Sequence, residues 1–329
     1  MTEADIRWHH AQTLASGQVA EFKVWAELVR QSLGGLHVFL PLRDVGIDGV
    51  VHRLADGSFV AVQVKGRMSL TPAGQVHITV TASSLVDDDA LIVATLVDGS
   101  ELGRMVLVID EASFRRLAAH DLVDGREYLT AAFGLHLGGE SRWARFLVPR
   151  ELLAARFGRL PTDAPPTSLP SGEVKSPAAV DRRYEGFVGE MEVIRRLASS
   201  ESLALFRPFP DLETVEVLVR HRATRRYLGL QVKTSGFGSA SAEERVYFRR
   251  SSFRASASTF ICVLGWERVG RRFVESCLLV PSVDIAGLAR VEGEWLVLEV
   301  EPGSGRHRKL GRYASELGML DQTVEKMLG

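Results

Sequence analysis

Apolar and polar positions alternate along this chain in a pattern that is played twice. Gly17-Gln18-Val19-Ala20-Glu21 leads into Val24, Trp25, Leu28 and Val29, a spacing of three and four that predicts an amphipathic helix. Gly186-Phe187-Val188-Gly189-Glu190 leads into Val193, Ile194 and Leu197 in the same way, and the two segments superpose at an offset of 169. A strand, a proline-marked turn and an acidic residue come next in each half. One half reads Pro41-Leu42-Arg43-Asp44-Val45-Gly46-Ile47-Asp48-Gly49-Val50, the other Pro208-Phe209-Pro210-Asp211-Leu212-Glu213-Thr214-Val215-Glu216-Val217. Phe59-Val60-Ala61-Val62-Gln63-Val64-Lys65 then aligns with Tyr227-Leu228-Gly229-Leu230-Gln231-Val232-Lys233 at an offset of 168, which sets Glu216 opposite Asp48.

The echo runs on. Ser83-Ser84-Leu85 matches Ser251-Ser252-Phe253, Leu91-Ile92-Val93-Ala94 matches Thr259-Phe260-Ile261-Cys262, and Met105 to Ile109 matches Ser276 to Val280. Buried-strand runs following a helix, in the same order twice, predict an α/β chain built by duplication. Between the halves, Pro161, Pro165, Pro166, Pro170 and Pro177 stand among Ser, Thr and Gly, a composition that favours an extended linker. The expected division is a first domain over 1–158, a linker over 159–181 and a second domain over 182–329.

Composition narrows the class. With 329 residues, 46% hydrophobic and 25% charged, the chain is of ordinary globular type. It has neither an apolar run of membrane-spanning length nor a signal-like start. Cys262 and Cys277 both lie in apolar runs and read as buried thiols of a reducing compartment, so a cytoplasmic location is expected. The net charge of −1 hides an asymmetry: residues 1–165 carry 16 Lys and Arg against 20 Asp and Glu, and the remainder 24 against 21. Arginines group in the second half as Arg220, Arg222, Arg225 and Arg226, and again as Arg249, Arg250 and Arg254, candidates for pairing with phosphates.

The repeated strand carries the candidate chemistry. Side chains alternate between faces, so Val60, Val62 and Val64 share one side and Ala61, Gln63 and Lys65 the other. Asp48 reaches the same place if the two strands form a hairpin. A hard cation prefers oxygen ligands, and Asp48, the Gln63 amide oxygen and the Val64 carbonyl could supply them. Lys65 could position a water or stabilise developing charge, and Glu21 on the helix could complete the set. Glu190, Glu216, Gln231 and Lys233 offer the same roles in the second copy. Alone, an acid followed by Gln-x-Lys is a weak signal; its retention in register in two otherwise divergent halves is what gives it weight.

Glu21, Asp48 and Gln63-Val64-Lys65 resemble the PD-(D/E)xK nuclease superfamily in its Mrr-like form, with Gln in place of the second acid. The resemblance covers about 15–120 and, more weakly, 184–290. It implies two tandem restriction-endonuclease-like domains, each a central mixed sheet flanked by helices, with Mg²⁺ or Mn²⁺ as cofactor. DNA is the substrate it implies most often, RNA less so. The expected activity is a metal-dependent endonuclease whose two domains act as an intrachain pseudo-dimer. The alternative is a nucleic-acid-binding protein on a nuclease scaffold, in which Glu216, longer than Asp48 by a methylene, marks a degenerate copy. A homo-oligomer or a partner in defence or repair is compatible with either.

Overall fold

The computed structural model describes residues 3–43, 46–98, 101–136, 141–158, 177–209, 215–237, 244–301 and 310–329. By contacts the chain divides into two compact units, Met1–Leu40 with Asp44–Ser168 and Pro41–Arg43 with Leu169–Gly329. Both are sheet-dominated mixtures of strands and helices.

The first unit opens with α1 (Glu3–Ser32), which starts well before Gly17, the position the apolar spacing suggests. It stops where Leu33 and Gly34 turn to φ of 50° and 87°. Then follow β1 (Leu36–Pro41), β2 (Gly49–Arg53), β3 (Phe59–Arg67), β4 (Val76–Thr81), β5 (Leu91–Asp98), β6 (Glu101–Asp110), α2 (Glu111–Leu117), β7 (Ala119–Val123), β8 (Arg126–Phe133) and β9 (Leu147–Pro149). Its larger sheet runs β1-β2-β3-β5-β6-β9, antiparallel at every step except the parallel β3–β5 pair. A smaller antiparallel sheet, β4-β8-β7, packs Val76, Ile78, Val80, Leu129 and Phe133 against Ile92, Leu107 and Ile109 of the larger one.

The second unit comprises α3 (Pro177–Leu197), β10 (Leu203–Phe209), β11 (Val217–His221), β12 (Tyr227–Phe237), β13 (Glu244–Arg249), β14 (Thr259–Glu267), β15 (Arg272–Pro281), α4 (Ile285–Leu288), β16 (Arg290–Glu292), β17 (Trp295–Val300), β18 (Ala314–Glu316) and α5 (Leu320–Leu328). Its larger sheet runs β10-β11-β12-β14-β15-β18 with β12–β14 as the parallel pair, and the smaller runs β13-β17-β16. Order and strand sense match the first unit step for step. Residues 177–181, expected in the linker, are helical; Pro177 suits a first turn, where its missing N–H has no partner to lose. The remainder of that stretch, 159–176, lies outside the described residues. Cys262 and Cys277 are buried free thiols. Among the described residues, no helix is long and apolar enough to cross a membrane.

One buried charge in the first unit gives a stability prediction. Glu111 opens α2 fully buried; its Oε2 accepts the Asp87 N–H at 3.0 Å and its Oε1 has no hydrogen-bond partner among the described residues. Burial, aided by the Asp87 charge and opposed by that N–H, pushes its carboxyl up to about 7. The folded chain therefore keeps a proton that the unfolded chain releases near 4.5, so Glu111 costs stability as pH rises from 4.5 to 7. Chemical denaturation across that window should show the parent losing up to about 3 kcal/mol relative to Glu111→Gln. A pH-independent difference between the two proteins would contradict the assignment.

Candidate active site

β2 and β3 form the hairpin expected of them, with Gly49 opposite Val62. Asp48 stands just before β2, where its backbone N–H donates to the Val62 carbonyl at 2.9 Å. Its side chain turns across the neighbouring strand, and Oδ2 accepts the Val64 N–H at 2.7 Å. Lys65 Nζ lies 3.9 Å from the same oxygen, with both side chains partly exposed. Gln63 is 3% exposed, more enclosed than its small neighbours suggest. The Gly46 carbonyl covers it, accepting from Gln63 Nε2 at 3.2 Å. Gly46 holds this position at φ +77°, and a Cβ there would meet the Ser84 carbonyl at 3.0 Å. Gln63 Oε1 is buried with no hydrogen-bond partner among the described residues. An orphaned carbonyl oxygen has the chemistry of a hard-cation ligand.

The second unit repeats the carboxylate's backbone bonds and its contact with lysine. Glu216 precedes β11 and its N–H donates to the Leu230 carbonyl at 3.0 Å. Its Oε2 accepts the Val232 N–H at 2.8 Å, and its Oε1 lies 3.4 Å from Lys233 Nζ. The extra methylene is absorbed without loss of either contact. Burial pushes the Glu216 carboxyl up to about 7; the Lys233 charge and the Val232 N–H oppose this, and Glu190 adds to it. Glu190 also lies 3.7 Å from Arg207, and Gln231 is buried at 6% exposure.

Each helix glutamate is placed by a close contact one residue away. A Cβ on Gly66 would collide with the Ala20 methyl, so α1 rests directly on β3 one residue past Lys65 and one before Glu21. In the second unit a Cβ on Gly189 would collide with Thr234 Oγ1, one residue past Lys233 and one before Glu190. The larger partner has changed sides: Ala on the helix with Gly on the strand, then Gly on the helix with Thr on the strand. The close approach of helix to strand at the site is thereby made with opposite residues.

No family model matches the sequence, and no curated protein matches it. Among solved structures, the chain is similar to a bacterial homing endonuclease at 14% identity and a TM-score of 0.30, over 45% of this chain and 97% of that one. Its fold and chemistry are therefore read from its own residues. Among the described residues, no group of three or more His, Cys, Asp and Glu is placed to hold a metal. A cation at this site would accordingly depend on the Gln63 amide oxygen together with Asp48.

The arginines divide. Arg220 was expected at a nucleic-acid surface, but it is 4% exposed, with its guanidinium 5.7 Å from the Tyr227 ring centroid. It lies within β11, where neighbouring strands enclose it. Arg222, Arg225 and Arg226 are exposed in the β11–β12 turn, at the opposite end of the hairpin from Glu216. They do not line the carboxylate site. Arg249, Arg250 and Arg254 are exposed at the end of β13 and in the turn after it.

Sequence reasoning passed over one position. Arg67 shares a face with Gln63 and Lys65, and its Nε donates to the His77 carbonyl at 2.8 Å. Its counterpart in the repeat is Ser235, buried with an Oγ that has no hydrogen-bond partner among the described residues. The two-residue alternation beyond Lys65 was the signal that would have found it.

Proposed function

We propose that this chain is a divalent-metal-dependent DNA endonuclease made of two restriction-endonuclease-like copies, the first carrying the principal active site. The observation that supports this is the repeated placement of carboxylate, buried amide and ammonium. In each unit an acid before one strand accepts a backbone N–H of the next, beside a lysine two residues beyond a buried glutamine. Surface decoration has no reason to preserve that hydrogen bond and that ion pair through such divergence.

In the first copy, Asp48 and the Gln63 amide oxygen would hold Mg²⁺ or Mn²⁺, with Glu21 as a further ligand. Such a cation supplies positive charge against the scissile phosphate and lowers the pKa of water. The Val64 N–H and Lys65 fix one oxygen of Asp48 and so orient the carboxylate. Lys65, partly exposed, presents its ammonium where charge develops on the phosphate. Glu216 favours a second reading for the other copy: a largely buried carboxyl, pushed up to about 7, binds a cation less readily at neutral pH. That copy then serves mainly to hold DNA, and the chain nicks; with both copies active as an intrachain pseudo-dimer, it cuts both strands.

Supercoiled plasmid incubated with Mg²⁺ or Mn²⁺ should be converted to the nicked or linear form, and excess EDTA should stop the conversion. Plasmid left supercoiled under every metal condition, by protein that still binds it, would remove the enzymatic reading in favour of the scaffold one. Accumulation of nicked circles before any linear product would support a single working copy.

A further inference from the structure

The small sheet of the second unit has one face in the core and one in solvent. Val246 and Phe248 of β13 pack with Leu298 and Val300 of β17 against Ile261, Val263, Leu278 and Val280. The alternate residues lie on the other face: Tyr247 opposite Val297, which is itself buried, and Arg249 opposite Trp295. Tyr247 is 44% exposed and Trp295 40%, with ring centroids 6.2 Å apart and planes at 87°. The Arg249 guanidinium lies 5.6 Å from the Trp295 ring centroid.

Charge is uneven across this face. Toward one side, Arg245 pairs with Glu292 at 3.8 Å and Arg290 with Glu299 at 3.2 Å. At the other end, Arg249, Arg250 and Arg254 make no ion pair among the described residues. Arg250 and Arg254 instead donate to the neutral carbonyls of Gly293, Ser251 and Phe253. Glu294, in the adjoining turn, makes no ion pair with them. Two exposed aromatic rings therefore share a face with Arg249, and Arg250 and Arg254, which make no ion pair among the described residues, stand in the turn that follows.

On the equivalent face of the first unit, His77, Thr79 and Thr81 stand opposite Ala132, Thr130 and Tyr128, with Arg126 two residues before Tyr128 on the same strand. The neighbouring Trp143 is buried there, at 3% exposure against 40% for Trp295.

We propose that Tyr247, Trp295, Arg249, Arg250 and Arg254 form a binding surface for single-stranded DNA, with unpaired bases stacking on the rings and phosphates meeting the arginines. An aromatic face gains from a base only when the base is unstacked, and duplex DNA hides its base faces within its own stack. Arginine serves both parts, as a phosphate partner and as a planar cation against a ring. The surface rests on the nuclease reading only in taking DNA as the polymer.

The test is fluorescence anisotropy of a labelled oligothymidylate with the full chain in EDTA, beside a duplex of equal length and an oligouridylate. Trp295→Ala should weaken oligothymidylate binding at least about fivefold, Trp295→Phe should retain most of it, and duplex binding should change less than about twofold. Arg249→Ala should flatten the salt dependence by about one unit of log–log slope. Thermal unfolding of each variant checks that the sheet remains folded. The proposal is overturned by unchanged affinity in the Tyr247→Ala, Trp295→Ala double variant, by equal loss for strand and duplex, by preference for oligouridylate, or by no binding in the parent. Because the chelator removes cleavage from the assay, uncut plasmid would count against the nuclease reading alone and unchanged anisotropy against this surface alone.

Discussion

Lys65→Ala is expected to slow plasmid cleavage by about a hundredfold to a thousandfold, the range that follows removal of one group aimed at developing charge. The Lys65 side chain is only partly buried and its contact with Asp48 is a long one at 3.9 Å, so stability should stay within about 0.5 kcal/mol of the parent. Asp48→Asn separates chemistry from architecture. The amide oxygen can still accept the Val64 N–H, but the charge that would hold a cation is gone. Loss of cleavage with an unchanged melting temperature is therefore expected there too. Lys233→Ala distinguishes the copies: a residual nicking activity assigns one strand to each, and full retention assigns catalysis to Lys65 alone. A Lys65→Ala protein cutting at the parental rate would eliminate the first site.

The largest stability effect should come from the helix seat. Gly66→Thr drives a side chain into Ala20 and is expected to cost about 3 kcal/mol, the upper range for overpacking a tight contact. Ala20→Gly alone should cost about 1 kcal/mol through lost helix propensity. Together they recreate the Gly189–Thr234 arrangement of the second unit. The double variant should recover about 2 kcal/mol relative to the sum of the single changes, as directly contacting sites do. Additive costs in thermal or urea unfolding would mean that this contact does not set the spacing of helix and strand. Cleavage should follow the same pattern, since Glu21 is carried on the residue next to the contact.

Much of this could be read from the chain before any fold was seen. Alternation in Val60 to Lys65 gave the strand, its faces and the pairing of Gln63 with Lys65, because a period of two is a local property of extended backbone. The Asp48 hairpin followed from an acid and a strand separated by a short turn. What escaped depended on distant chain. The enclosure of Gln63 comes from Gly46, whose hydrogen bond requires the loop to fold back over β3. Arg220 belongs to an arginine-rich string that looks solvated until strand pairing encloses it. Trp295 meets Arg249 only through the register of two strands nearly fifty residues apart in sequence. The backbone start of α1 at Glu3 has no apolar periodicity to announce it.

The exchanged small residues also bear on how a chain holding two look-alike sheets assembles without error. During synthesis the first helix and the first sheet emerge together, but nothing in their common topology forbids either helix from settling on the other's strands. If α1 settled on β12, the Ala20 methyl would meet Thr234, where even the Gly189 position has no room for a Cβ. If α3 settled on β3, Gly189 would face Gly66, leaving a gap with lost van der Waals contact on both sides. Each wrong docking is penalised, one by collision and the other by vacancy. A single pair of complementary side chains thus acts as an address, telling each helix which sheet is its own.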